Sequence, residues 1–103
     1  MAGFVLTPLA DADLDEIWEY VAAESSVPRA DKLEADLHEG MIRIGRMPGI
    51  GHLRMELADE ALRFYRVHKF LIIYRPESRP VQIIRVLHGA RDIQAILGAP
   101  PIE

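Results

Sequence analysis

Cysteine is missing from these 103 residues, which excludes a disulfide scaffold, a thiol nucleophile and a cysteine-built zinc site. Long apolar runs are missing too, and the chain opens Met-Ala-Gly-Phe-Val-Leu without a basic segment. The sequence therefore predicts no transmembrane span and no signal peptide, and a cytoplasmic location follows. There is no repeat, low-complexity tract or interdomain linker. Gly49-Ile50-Gly51 lacks the third glycine, the preceding strand and the lysine of a phosphate-cradling loop. His38, His52, His68 and His88 fall on different predicted elements without metal-ligand spacing, and Ser25, Ser26 and Ser78 have no histidine beside them in sequence. No metal or cofactor is expected.

What is present is enough apolar material, 50% of residues, for one modest core. A single domain over residues 1–98 is expected, with 99–103 as an extended tail. The net charge of -4 hides an asymmetry. Residues 1–48 carry ten acidic and four basic side chains, whereas residues 49–103 carry six acidic and eight basic, seven of them arginine. Arginine suits forked contacts with carboxylate or phosphate, yet so mild an excess is more often a solvated sheet face than a nucleic-acid footprint.

Phe4-Val5-Leu6 reads as a short strand. Thr7 then serves as N-cap and Pro8 as the first helical residue, followed by a dipole-favoured acidic run that includes Asp11, Asp13, Asp15 and Glu16. Ala10, Leu14, Ile17, Trp18, Val21 and Ala22 form one apolar stripe, and the acids read as a solvated face. A second helix starts near Pro28 and buries Ala30, Leu33, Leu37, Met41 and Ile44; Arg43 and Arg46 suit its end, and Pro48-Gly49 stops it. Residues 48–61 read as a connecting loop. Leu62 to Val67 and Phe70 to Arg75 read as strands joined at His68-Lys69, with a turn over residues 76–80.

The last strand, Val81 to Leu87, is apolar on both alternating faces: Val81, Ile83 and Leu87 on one, Ile84 and Val86 on the other. It therefore belongs inside the sheet. It runs into His88-Gly89-Ala90-Arg91-Asp92, where polar groups gather at a glycine-permitted turn. The fold class is α+β: a strand, a helical hairpin, a three-stranded antiparallel meander, and a short C-terminal helix around Ile93, Ile96 and Leu97. Arg85 interrupts an apolar strand face and has two readings, an arginine reaching the edge or an acid, and a binding residue on the face the helices leave open. His88, Arg91 and Asp92 are candidates for binding, with a helix cap as the alternative for Asp92.

With the elements placed, the chain resembles the RelE/ParE toxin superfamily, on its ParE side. Phe4 to Ala10 with Asp13 to Tyr20 resembles the family's opening strand and helix. Pro48-Gly49-Ile50-Gly51-His52 with Arg54-Met55-Glu56-Leu57 resembles its middle loop, and Leu71 to Arg75 with Ile84 to Asp92 its last strands. Each piece is degenerate, but their order and spacing make a specific signal.

The resemblance implies the toxin of a type II toxin–antitoxin pair, held inactive in a hetero-oligomer by a ParD-like ribbon-helix-helix antitoxin. Apolar surface left by a half-covered sheet calls for such a partner, and the implied antitoxin groove takes in Leu14, Trp18, Leu37, Met41, Phe64 and Arg66. ParE-like members imply DNA gyrase as the target, contacted by Arg85, His88, Arg91 and Asp92. RelE-like members imply a ribosome-dependent endoribonuclease instead, using Arg85, His88 and Arg91. A third alternative is a non-toxic complex former that represses its operon. The segment 93–103 has no tyrosine, lysine or arginine, and the acidic balance suits a ribosome-bound nuclease poorly, so the binding toxin is the expectation.

Overall fold

The computed structural model describes residues 3–54, 62–91 and 93–97. Its elements are β1 (Phe4–Leu6), α1 (Pro8–Glu24), α2 (Val27–Arg46), a 3-10 turn (Pro48–Ile50), β2 (His52–Leu53), β3 (Arg63–Val67), β4 (Phe70–Arg75), β5 (Val81–His88) and one helical turn, α3 (Ile93–Ile96). The strands form one sheet in the order β1-β5-β4-β3-β2, antiparallel except that β1 lies parallel to β5. The three-strand meander is thus the middle of a five-stranded sheet. Residues 48–54 are not wholly loop, because His52 and Leu53 pair with Phe64 and Arg63. The expected tail, 99–103, lies outside the described residues.

The helices begin where their caps dictate. Thr7 Oγ1 accepts from the Ala10 amide at 3.1 Å, and Ser26 Oγ from the Arg29 amide at 3.2 Å. Ala30, Leu37, Met41 and Ile44 are buried along one face of α2. Leu37, Met41 and Ile44, together with Ala10, pack on Ile72, Tyr74, Val81, Ile83 and Val86 of the sheet. The opposite sheet face is not open. Phe64, Leu71, Ile73 and Leu87 form a second cluster with Leu62 and Ile93, so α3 covers part of it. Among the described residues no helix is long and apolar enough to cross a membrane.

The predicted faces of β5 are half right. Ile73 pairs with Arg85 but Tyr74 pairs with Ile83, so β5 carries one extra residue, Ile84, a β-bulge. Beyond it the alternation is inverted: Val86 joins Val81 and Ile83 under the helices, while Ile84 and Leu87 face the second cluster. Strict alternation has no means of registering an inserted residue.

Candidate functional site

The bulge organises the site, because it disrupts the ladder and its polar backbone groups need partners. Thr7 Oγ1 donates to the Ile84 carbonyl at 2.9 Å, and the Val86 amide donates to Asp13 Oδ2 at 2.9 Å. Asp13 also receives the fork of Arg85, Nε to Oδ2 at 2.7 Å and Nη2 to Oδ1 at 2.9 Å. Asp13 is only 7% exposed. It therefore does not belong to the solvated acidic face of α1; it points inward. Its hydrogen bonds push the pKa of the Arg85 guanidinium above its ordinary value, against the opposing effect of burial.

Past the bulge, β5 ends beside the β3–β4 turn. The Gly89 amide donates to the Lys69 carbonyl at 2.8 Å and the Arg91 amide to the His88 carbonyl at 3.0 Å. The β3–β4 turn is tied to α2 as well: His68, at φ 55°, places Nε2 2.7 Å from Asp36 Oδ2. That contact, with a smaller contribution from Lys32, holds the Asp36 carboxyl below the usual carboxylate range. Lys69 and Arg91 are thereby held on neighbouring turns, and the exposed Arg66 guanidinium donates to the His68 carbonyl at 3.1 Å.

Between this end of the sheet and α1 runs a groove of about 640 Å³. Its floor is apolar, made by Ile17, Val21, Phe70 and Val86, while Glu16 and Tyr20 stand on one wall and Lys69, His88 and Arg91 on the other. Tyr20 is 69% exposed. His88 meets Phe70 edge-on, with ring centroids 5.3 Å apart. Its Nδ1 accepts from the Ala90 amide at 3.0 Å, so the neutral ring carries its proton on Nε2 and offers a donor there.

The sequence-predicted residues are distributed as follows. His88 and Arg91 meet at the groove, whereas the Arg85 fork is engaged by Asp13. Asp92 lies outside the described residues. Leu14 lines a second, smaller groove of about 430 Å³ between β1 and the helical hairpin. Trp18 lies nearby and donates from Nε1 to Asp31 at 2.8 Å. Leu37, Met41 and Phe64 are buried in the chain's two core clusters at 1–2% exposure, and Met41 also lines this second groove. Glu16, Tyr20 and Lys69 are additions: their burial pattern reads as ordinary surface, and only the fold brings them to the strand end.

An α1–α2 hairpin laid on a mixed sheet, with its last long strand ending in a polar turn, defines a small α+β architecture. The family model described as "ParE toxin of type II toxin-antitoxin system, parDE" matches residues 4–93, and the chain belongs to that family. Toxin ParE1 of Caulobacter vibrioides is 35% identical over 102 residues, covering 95% of this chain and all of that protein. A solved structure titled "Chromosomal ParDE TA system from P. aeruginosa" superposes with a TM-score of 0.72 at 22% identity, covering 85% of this chain and 96% of that one. It shares the fold.

Proposed function

We propose that this ParE-family toxin acts in the cytoplasm by binding DNA gyrase rather than by cutting RNA, and that a co-encoded ribbon-helix-helix antitoxin neutralises it. The observation that carries the non-nuclease reading is the state of His88. With Nδ1 engaged by the Ala90 amide, the neutral ring carries its proton on Nε2 and has no free nitrogen acceptor of the kind a general base must offer. Arg85, the other cation a nuclease reading would enlist, is held by Asp13. Arg91 and His88 remain as contacts for a target.

The antitoxin fits the other side of α1. The groove beside β1 has half-buried apolar walls at Phe4, Leu6 and Leu14, with Asp31 and Glu34 on its rim. Asp15, Trp18 and Glu19 continue it as a polar shelf. A segment with apolar and basic side chains suits that surface.

The test is induction of the toxin with two readouts, supercoiling by purified gyrase and transcript integrity. Lost supercoiling with intact transcripts is the expected result. Cleaved transcripts that become whole in His88→Ala, with supercoiling unaffected, would replace the gyrase reading by ribonuclease action.

A further inference from the structure

We infer that the target of this toxin is gripped in the groove between α1 and the sheet end, and that what enters the groove is a protein segment of mixed charge. The inference rests on the reading that the strand-end residues contact the target, and it adds the occupant's chemistry and three residues, Tyr20, Lys69 and Glu16. The groove's floor is apolar and wide enough, at about 640 Å³, for a few side chains. An exposed tyrosine standing over such a floor is the kind of anchor around which binding energy concentrates.

Charge decides between classes of occupant. Lys69 and Arg91 make one wall cationic, and Glu16 makes the opposite wall anionic. Asp13, also at the groove, is matched by Arg85. A nucleic-acid strand would bring phosphates past Glu16 and gain little from two cations on one side. A peptide carrying an acidic side chain toward Lys69 and Arg91, an apolar one for the floor, and a basic or amide group toward Glu16 satisfies both walls. The His88 Nε2–H adds a donor on the cationic side.

The walls make opposite demands, which gives the experiment its sign. Full-length toxin variants are compared for growth inhibition and for affinity to purified gyrase, with single-stranded oligothymidylate as the nucleic-acid probe. Melting and antitoxin capture serve as fold controls. Tyr20→Ala should weaken binding about 30-fold, with Tyr20→Phe largely restoring it. Lys69→Glu should weaken it about tenfold. Glu16→Lys, which adds positive charge, should weaken it several-fold.

A Glu16→Lys variant that is more toxic, or that binds oligothymidylate, overturns the peptide occupant in favour of nucleic acid. Wild-type toxicity in Tyr20→Ala and Lys69→Glu, alongside attenuation in Arg91→Ala, overturns the groove while the strand-end reading stands. Wild-type toxicity in Arg91→Ala, or a chain that does not inhibit growth at all, ends both.

Discussion

Asp13 and Arg85, 72 residues apart in sequence, meet through two hydrogen bonds of 2.7 and 2.9 Å. The carboxylate also takes the Val86 amide, so one acidic side chain ties α1 to β5 at the bulge. This junction fixes the angle at which α1 stands over the sheet end, and hence the width of the groove between them.

Removing either partner strands the other in a poorly solvated place. Arg85→Ala is expected to destabilise the fold by about 3 kcal/mol, and Asp13→Ala by a similar amount because the Val86 amide also loses its acceptor. The double variant should cost less than the sum. Urea midpoints at constant m-value measure all three. Additive losses would show that the two side chains are not energetically coupled.

Arg91 should behave differently, since it is exposed and lines the groove. Arg91→Ala is expected to leave the urea midpoint unchanged and to weaken target binding by about 1.5–3 kcal/mol, roughly ten- to a hundredfold. His88→Ala should cost about 1 kcal/mol, one neutral hydrogen bond. A loss of a hundredfold or more at His88 would be the scale of acid–base chemistry.

Particular residues show how much of this was legible beforehand. The helical hairpin was readable because Ala30, Leu37, Met41 and Ile44 recur at helical spacing and Thr7-Pro8 announces a start. The bulge was not, because nothing in Ile83-Ile84-Arg85-Val86 distinguishes an inserted residue from regular alternation. A signal for the ion pair did exist. Asp13 lies between Ala10 and Ile17 on the apolar side of α1, and Arg85 interrupts an apolar strand. Two opposite charges each intruding on a buried face are candidates for one another. The groove was out of reach, since Tyr20 and Lys69 become neighbours of Arg91 only when β1 seats beside β5 and carries α1 across the sheet end.

The residues expected at the antitoxin groove carry their own prediction. Leu37→Ala and Met41→Ala remove side chains from a closed core and should each cost the isolated toxin about 2–5 kcal/mol. Trp18→Ala should leave melting nearly unchanged and weaken antitoxin capture. Unaltered melting in Leu37→Ala would mean that its burial contributes little, contrary to the packing seen.

The last prediction concerns pH. Tyr74 is fully buried, and its hydroxyl donates to the Pro48 carbonyl at 2.7 Å while accepting from the Gly51 amide at 2.9 Å. It thereby pins the turn that leads into β2, and a Cβ on Gly51 would come within 2.7 Å of that hydroxyl. Burial raises the phenol's pKa above its ordinary value, outweighing the Gly51 amide and the nearby Arg63 charge, which act the other way. The native state then holds a proton that the unfolded chain releases near pH 10. The resulting stability is complete below the unfolded value and falls as pH rises toward the folded one. Urea unfolding between pH 8 and pH 11 should therefore show a declining midpoint in the native sequence. Tyr74→Phe should start lower by about 1–3 kcal/mol, because the Gly51 amide and Pro48 carbonyl lose their partner, and its alkaline decline should be shallower. Parallel declines in the two proteins would assign the alkaline loss to other groups.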